Sequence, residues 1–543
     1  MKKYYLFYFT LSFFFTIQAQ KDTISLNEVN LEINKTKVKL QQLPASVTQI
    51  KAQKIENLQI EKTSDLNGIV PNVFMPDYGS KLSSPIYIRG VGSRINEPSV
   101  GLYVDDMPYF DKGTFNFELF DIDKIEILRG PQGTLYGRNT MGGLIRIFSR
   151  NPEQQTKLRL QAGAGTDGQY KTGLHYNQRI NKKLSLLLDA GYFYQQGFYT
   201  NIFDGKKTDE NNTGSGRLKL LYQPEKNTKI LFAANYENNL QNGYPYAVYN
   251  PDTQTTDPVN YDQFSDYQQD LFSIGLNLNH TGAKLNYKLS LSYQNIKDTQ
   301  NIDQDFTENN IYYVVQNREN NYFIEEFNLS NKNTSKIQWV AGIFSFQTSQ
   351  LKDVDVAINN IGMDLFKTYD QPVFGWAGFG EFTYKLKRLK FTAGLRYDYE
   401  KTSLKYNYDL TFHSNTSNKA NLDLDLEYEE ILPKFSISYT PDNKLNFYGT
   451  VAKGYKAGGF NSTIERKEDE TYNPEYDMNY ELGIKSQWLQ KKLSINASIF
   501  YIDWKDQQIY QTVPSGRGSM LKNAGKSESK GLEFEINYKT FLR

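Results

Sequence analysis

The chain has 543 residues, a formal net charge of +1 and no cysteine. The near-neutral charge gives no sign of a nucleic-acid partner, and the lack of cysteine excludes disulfides and thiolate metal sites. The histidines, His175, His280 and His413, are far apart in sequence, so we expect no metal site or cofactor built on them. Aromatic residues make up 15% of the chain, which is high for a soluble enzyme and typical of a membrane barrel with aromatic girdles.

The N-terminus has the pattern of an export signal. Lys2 and Lys3 precede the apolar run YYLFYFTLSFFFTI, and the small residue Ala19 follows. We predict a signal peptide over residues 1–19, cleaved after Ala19 or Gln20. The alternative, a helical membrane anchor, is disfavoured because the run is short for crossing a bilayer.

The segment after the signal predicts one compact α+β domain. It contains a helix candidate around AQKIENLQ and short strands such as IYIRG, VGLYVDD and GGLIRIF. The stretch KIEILRGPQGTLYGRNTMGGLIRIFSR, from Lys124 to Arg150, places a glycine-rich turn between two strands. It lacks the Gly-Lys-Ser/Thr ending of a phosphate-binding loop and does not fit the dinucleotide fingerprint. We therefore interpret its glycines as tight turns and points of close backbone packing.

From about residue 156 the chain alternates apolar and polar side chains with period two. FSIGLNLNH and LSINASIFY are examples. In LDLDLEYE, acidic residues alternate with leucine and tyrosine, and we interpret this segment as a strand with one solvated face, although it is also compatible with a calcium site. Tight connections alternate with long polar ones, which are 198–214, 239–266, 299–311, 350–372, 403–421, 454–476 and 505–528. This pattern predicts an antiparallel meander of about sixteen strands, with tight turns at one rim and large loops at the other.

Several motifs resemble a known family. IRGVGS at 88–93, VGLYVDDMPY at 100–109 and DIDKIEILRGPQGTLYGRNTMGGLIRIFSRNP at 121–152 resemble the plug of TonB-dependent outer-membrane receptors of the siderophore-receptor type. VAKGYKAGGFN, NPEYDMNYELGIKS and NAGKSESKGLEFEINY resemble segments of that family's barrel. The resemblance covers nearly the whole mature chain. It implies an all-β transmembrane antiparallel barrel with an N-terminal α+β plug in its lumen.

The resemblance also implies a domain organisation and a cellular location. A flexible N-terminus over 20–40 is expected to precede a plug domain over 41–155 and a barrel over 156–543. The location implied is the outer membrane of a Gram-negative bacterium, with outer-membrane lipid and the barrel-insertion machinery as partners. Family barrels belong to the 22-stranded, plugged class and usually end on an aromatic residue, so we expect the barrel to be incomplete at its C-terminus. Asn72 and Asp106 stand where the family usually has glycine, and both residue types tolerate left-handed turns.

The function implied is active import of a scarce nutrient, most often a ferric siderophore. In this family a segment near the mature N-terminus pairs with the energy-transducing protein TonB by strand addition. The matching segment, the TonB box, is Asp22, Thr23, Ile24, Ser25 and Leu26. Haem, cobalamin and oligosaccharide remain alternative cargoes. A passive porin would need neither plug nor coupling segment, and an enzyme would need a nucleophile and base that the isolated histidines do not supply.

Two groups of site residues follow from the resemblance. Tyrosine and arginine suit an anionic chelate, through cation–π contacts, hydrogen bonds and charge. The ligand contacts predicted on this basis are Tyr78, Arg94, Tyr109, Phe110, Tyr244 and Tyr246. The second group is a charge lock between plug and barrel, formed by Arg89, Arg129, Glu481 and Glu533. The alternatives are a tyrosine-rich loop that only packs on its neighbours, and arginines that pair within the plug with Asp105 or Glu126.

Overall fold

The computed structural model describes residues 30–31, 35, 38–94, 97–332, 335–516 and 518–538. The predicted signal peptide and the predicted TonB box, 22–26, lie outside the described residues. Within the described part of the chain, no helix has the length and apolar character needed to cross a membrane.

The N-terminal domain is built on a five-stranded mixed sheet. In spatial order the sheet consists of β3 (46–51), β9 (122–129), β10 (143–149), β7 (100–104) and β8 (107–109), with β10 parallel to β7. A small sheet of β4 (73–74), β5 (87–88) and β6 (91–92) lies beside it. Ile50, Ile125, Ile127, Ile145 and Ile147 are fully buried in its core. The strands are β1 (Asn30–Leu31), β2 (Val38–Lys39), β3 (Ser46–Lys51), β4 (Val73–Phe74), β5 (Tyr87–Ile88), β6 (Val91–Gly92), β7 (Val100–Val104), β8 (Met107–Tyr109), β9 (Ile122–Arg129) and β10 (Gly143–Ser149). The helices are α1 (Ala52–Asn57), α2 (Gly133–Tyr136) and the 3-10 turns Leu40–Gln42, Thr63–Leu66, Lys81–Ser83 and Lys112–Thr114.

The rest of the chain forms one large antiparallel sheet of long strands, with short strands in its loops. The strands are β11 (Lys157–Gly165), β12 (Gln169–Arg179), β13 (Leu184–Gln195), β14 (Asn211–Glu225), β15 (Thr228–Asn242), β16 (Tyr249–Asn250), β17 (Thr255–Thr256), β18 (Asp266–Thr281), β19 (Leu285–Asp303), β20 (Tyr312–Asn331), β21 (Ile337–Ile358), β22 (Met363–Leu386), β23 (Leu389–Phe412), β24 (Asn415–Ile431), β25 (Lys434–Asp442), β26 (Leu445–Lys456), β27 (Gly459–Phe460), β28 (Thr471–Tyr472), β29 (Glu475–Trp488), β30 (Leu493–Thr512) and β31 (Ser519–Tyr538). Two further 3-10 turns, Asn359–Ile361 and Lys467–Asp469, lie in its connections.

The strand prediction is confirmed by this sheet. Its described part contains seventeen strands, and β24 and β25 both pair with β23 in one continuous register. Only Leu432 and Pro433 separate them, and proline cannot donate to the ladder, so the two strands form a single passage. The described part of the sheet therefore crosses the barrel wall sixteen times, which agrees with the predicted number of about sixteen strands.

Three of the predicted long loops are wrong, and one of them is 505–528, most of which belongs to β30 and β31. Residues 350–372 belong mostly to β21 and β22, and residues 403–421 belong mostly to β23 and β24. The β21–β22 and β23–β24 hairpins turn through the short connections 359–362 and 413–414. These segments have polar residues on both faces, and for that reason the sequence predicted loops. Strand pairing depends on backbone hydrogen bonds, which continue wherever a neighbouring strand is in register, whatever the side chains.

The large sheet surrounds the N-terminal domain, which we call the plug, so that the sheet forms a barrel wall. Hydrogen bonds join plug and wall at widely separated strands: Asn277 on β18 to Asp105, Gln294 on β19 to Pro108, Thr134 to Leu432, and Ser46 to Glu481 on β29. The strands at the two ends of the sheet, β11 and β31, are not paired with each other in the described residues.

The glycine-rich stretch of the plug lies against this wall. Gly137 has a φ of 75°, and a Cβ added there would lie 2.5 Å from Nη2 of Arg396 on β23. A Cβ added at Gly133 would lie 3.0 Å from the carbonyl oxygen of Lys453 on β26. The interpretation of these glycines as points of close packing is therefore confirmed.

We expect Gly137→Val to destabilise the seating of the plug by about 1–3 kcal/mol, because the new side chain meets Arg396 and strains a left-handed backbone. The measurement is the temperature at which trypsin begins to cleave the plug of the purified protein in detergent. Gly216→Ala on β14 is the control, because a Cβ there meets nothing within 4 Å. An unchanged cleavage temperature for Gly137→Val would contradict the packing argument.

Candidate functional site

Arg89 is bound by two carboxylates of the barrel wall. It stands at the end of β5, and its Nε and Nη2 each donate a 2.9 Å hydrogen bond to Glu533 on β31. Its Nη1 donates a 2.6 Å hydrogen bond to Glu481 on β29. The side chain is 0% exposed, and its guanidinium carbon lies 4.2 Å from the ring centroid of Phe500. This bidentate, charge-assisted pairing fixes both position and orientation of the arginine.

Arg129, at the end of β9, reaches the same glutamate. Its Nε donates to Glu533 at 3.0 Å, and its Nη2 lies 3.7 Å from Glu535. Its Nη1 donates to Thr48 at 2.7 Å, and Thr48 in turn donates to Glu535 at 2.7 Å. The structure thus brings Arg89, Arg129, Glu481 and Glu533 together, and the role of these four residues as a lock stays a prediction.

Neutral donors complete this network, and sequence reasoning missed them. The hydroxyl of Ser46 and that of Tyr448 donate to Glu481 at 2.9 and 2.7 Å. Asn72 donates to Glu533 at 3.0 Å, and Ser498 donates to it at 3.2 Å. The alternating pattern of β3, β26 and β30 placed these side chains on a face, but no local signal marks a hydroxyl as a partner of a distant carboxylate.

The electrostatics of the network favour charged arginines. Burial by itself lowers the pKa of Arg89, but the Glu481 and Glu533 carboxylates outweigh burial and hold that pKa above its ordinary value. The alternative partners proposed within the plug are engaged elsewhere. Asp105 lies 3.0 Å from Lys219 on β14, and Glu126 pairs with Lys124 and Arg146.

The two residues that replace family glycines have the expected backbone. Asn72 has a φ of 56° and Asp106 a φ of 67°, so both lie in the left-handed region. Asp106 also binds Lys288 on β19 and Arg146 at 2.6 Å each. Its carboxylate therefore contributes a contact between plug and wall that glycine would not supply.

Three of the predicted ligand contacts form a seam between the plug and the loop after β15. The guanidinium carbon of Arg94 lies 4.4 Å from the ring centroid of Tyr78, and the hydroxyl of Tyr246 donates to the carbonyl oxygen of Tyr78. Arg94 is exposed and Tyr78 is half-buried. A cavity of about 1310 Å³ begins at this seam and extends between the plug and strands β11–β15, with Lys81 and Glu118 in its lining.

The other predicted contacts lie deeper. Tyr109 is 5% exposed and shares a 3.0 Å hydrogen bond with Ser273, and Tyr244 is 2% exposed with a 2.6 Å hydrogen bond from Gln300. Each is buried against a polar partner on the wall, and its role as a ligand contact stays a prediction. Phe110 is partly buried, and its ring lies 5.5 Å from that of Phe346 on β21.

One histidine takes part in an ionic cluster between plug and wall. Nδ1 of His175 lies 2.7 Å from Asp121 and 2.6 Å from Asp189. Arg150 lies 3.0 Å from Asp121, and Arg217 lies 3.6 Å from Asp189. Because these arginines already compensate the carboxylates, we interpret the cluster as an ion-pair network and not as a metal site.

Comparisons with known proteins agree with this architecture. Residues 39–144 match the TonB-dependent receptor plug domain, and residues 222–543 match the TonB-dependent receptor-like β-barrel. The pesticin receptor of Yersinia enterocolitica (serotype O:8, biotype 1B) is 24% identical over 96% of this chain and 77% of its own length. The crystal structure of the ferric yersiniabactin uptake receptor FyuA from Yersinia pestis has a TM-score of 0.80 at 22% identity, over 91% of this chain and 76% of that one. The ferric-catecholate import receptor Fiu of Escherichia coli K12 has a TM-score of 0.71 at 14% identity, over 93% and 79%.

We expect the Arg89–Glu533 pair to show energetic coupling in a double-mutant cycle. Arg89→Gln and Glu533→Gln should each weaken plug retention by up to about 3–5 kcal/mol, reduced by lumen water, because each removes one charge from a buried ion-pair network and leaves the remaining charges unbalanced. The double variant should lose less than the sum, by about 1–3 kcal/mol. The readout is the urea concentration at which a cysteine placed at the buried residue Met141 becomes reactive. This label is unique because the native chain has no cysteine.

The control for this cycle is Arg89→Gln combined with Glu381→Gln, whose carboxylate pairs with Lys434 elsewhere on the wall. That combination should be additive within error. Additive losses for Arg89 and Glu533 as well would show that their contact does not retain the plug.

We expect Glu118 to make plug stability depend on pH. Burial, together with the nearby Glu237, raises the pKa of Glu118 to about 7 against the opposing effect of Lys81. A folded pKa above the unfolded one stabilises the fold at low pH, and this stability is lost as the pH rises through about 7. Glu118→Gln should therefore remove about 2 kcal/mol of the stability difference between pH 5.5 and pH 8, measured by urea unfolding. Glu56→Gln, at a side chain that is 51% exposed, should leave the profile unchanged.

Proposed function

Because the chain belongs to the family of TonB-dependent receptors, we propose that it imports a ferric siderophore across the outer membrane of a Gram-negative bacterium. The observation that carries the proposal is a plug seated inside the barrel wall by buried ion pairs from Arg89 and Arg129. A seated plug blocks free passage, so transport has to displace it, and displacement needs energy.

The energy source follows from the family. TonB is the partner that transmits energy from the inner membrane, and strand addition is a suitable way of gripping a chain because backbone hydrogen bonds carry the load. The segment proposed to pair with TonB is 22–26, which precedes the plug. Pulling on it applies force along the chain toward β3, whose Ser46 donates a hydrogen bond to Glu481 and whose Thr48 accepts one from Arg129.

The cargo is inferred from relatives and from the outer seam. The solved relatives named above are receptors for ferric yersiniabactin and for ferric catecholates. The pairing of Arg94 with Tyr78 offers a cation and an aromatic ring to a chelate entering from the loop rim. Haem, cobalamin and oligosaccharide are the alternative cargoes.

A passive porin is the alternative from another functional class. It needs an open lumen, whereas here the wall and the plug share hydrogen bonds from β18 to β31. Liposome swelling separates the two classes. Free permeation of small sugars through the purified protein would favour the porin.

We expect deletion of residues 22–26 to abolish uptake of iron-55 supplied as ferric yersiniabactin while leaving surface binding intact. The physical reason is that binding needs the outer face of the protein, and transport needs the connection to TonB. The deletion is made in the chromosomal gene of the host, and bound and internalised label are measured separately.

Replacing the same five residues with a scrambled order is the matched control, because it keeps the backbone that pairs with TonB and should therefore retain uptake if backbone hydrogen bonds carry the load. Normal uptake in the deletion strain would place energy coupling elsewhere. Absence of both binding and uptake in the parent strain would rule out this siderophore as the cargo.

A further inference from the structure

Lysine and tyrosine side chains form a ladder on the inner face of the long hairpins. In one row across the sheet, Arg318, Lys352, Tyr369 and Tyr406 are cross-strand partners on β20, β21, β22 and β23. In the next row toward the hairpin tips, Lys367 on β22 is the partner of Tyr408 on β23. We call Lys352, Lys367, Tyr369, Tyr406 and Tyr408 the lysine–tyrosine ladder.

The ladder faces the lumen on the long-loop side of the plug. Lys352 has the same strand parity as Phe346, whose ring contacts Phe110 of the plug, and side chains alternate across a strand. Lys352 lies between Phe346 and the end of β21 at Ile358, beyond that contact with the plug. A ligand entering from the loop rim therefore reaches the ladder before it reaches the plug.

Contacts within the ladder hold its side chains in place. Nζ of Lys352 lies 4.0 Å from the ring centroid of Tyr369, and Nζ of Lys367 lies 5.1 Å from that of Tyr408. The Tyr369 and Tyr406 rings are 5.0 Å apart. The Tyr369 hydroxyl donates a 2.8 Å hydrogen bond to the carbonyl oxygen of Ser462. The groups are thus preorganised on strands and not on a loose loop.

The charges of the ladder are not balanced by the protein. Arg318 donates 2.9 and 2.6 Å hydrogen bonds to Asp298 and lies 3.5 Å from Asp111 of the plug. In contrast, neither Lys352 nor Lys367 has a carboxylate within ion-pair distance in the described part of the chain. Two ammonium groups on a half-buried wall create a positive potential that attracts an anion.

We propose that the lysine–tyrosine ladder selects ligands by charge, and that its ligand is an anionic ferric chelate with aryl donor groups. This inference rests on the proposed function and adds the ligand class. The ammonium groups pair with the anionic oxygens around the metal, and the half-buried rings of Tyr369 and Tyr408 pack against the aryl groups. Tyr406 is 3% exposed and supports the ring of Tyr369 from within the wall. Three catecholate dianions around one ferric ion leave a trianion, whereas three hydroxamate monoanions leave a neutral complex.

A structural role makes a different prediction. If the ladder only stiffens the hairpins through cation–π contacts, loss of the lysines lowers stability and affects ligands of every charge alike. The charge of the ligand is therefore the variable that separates the two roles.

The experiment measures the dissociation constants of two ferric complexes for the purified full-length protein by quenching of tryptophan fluorescence. The probes are a synthetic hexadentate tris-catecholate, which is trianionic, and ferrichrome, a neutral tris-hydroxamate. Combined Lys352→Gln and Lys367→Gln should weaken binding of the trianion about tenfold or more and change ferrichrome binding by less than about twofold. Added salt should weaken trianion binding to the native protein and have less effect on the double variant.

Two controls complete the design. Lys401→Gln with Lys405→Gln removes the same charge from the opposite, exposed face of β23 and should leave both constants unchanged. Lys352→Arg with Lys367→Arg keeps the charge and should restore most of the affinity. Equal weakening for both probes, or no change for the trianion, would overturn the inference while leaving the import function standing. Failure of the native protein to bind either probe would overturn the choice of ligand class, and the ferric yersiniabactin assay tests the import function separately.

Discussion

The rest of the structure depends on one wall carboxylate that serves two plug cations. Glu533 accepts hydrogen bonds from Arg89 and Arg129, and Glu481 supplies the second negative charge, so that two cations face two carboxylates. Charges removed from water have to be paired, and this constraint fixes where β5 and β9 of the plug meet β29 and β31 of the wall. The plug is thereby held in one orientation by directional contacts.

A polar interface suits a part that has to be both retained and moved. An apolar seam of the same size would be at least as stable, but its exposure to lumen water would oppose displacement. Arginine, carboxylate and hydroxyl groups regain hydrogen bonds from water when they separate. Close approach is still required, and Gly130 provides it, because a Cβ there would lie 3.0 Å from Nη1 of Arg89.

The charges in the outer half of the lumen are arranged differently from those at the plug. Next to the plug, the arginines Arg89, Arg129 and Arg318 are balanced by carboxylates. Farther toward the loop rim, Lys352 and Lys367 lie over tyrosine rings. Since Asp111 belongs to the plug and Arg318 is the strand partner of Lys352, the ligand-facing rows are connected to the plug through a short series of contacts. The protein thus separates a charge-balanced interface between plug and wall from two half-buried lysines that have no carboxylate within ion-pair distance in the described residues.

The sequence by itself determined most of the antiparallel strands, their approximate number and the two-domain organisation, because a period-two pattern marks a strand with two unlike faces. It did not determine the outer parts of the long hairpins, which it predicted as loops. Motif resemblance additionally indicated the four charged residues of the lock. The period-two pattern does not determine which residues of neighbouring strands lie side by side. Only the tertiary structure decided that Glu533 binds both arginines, that Ser46 and Tyr448 complete the site, and that Tyr109 is buried. The reason is physical: the plug residues and their partners on the wall are hundreds of residues apart, and their contact depends on the register of every strand between them.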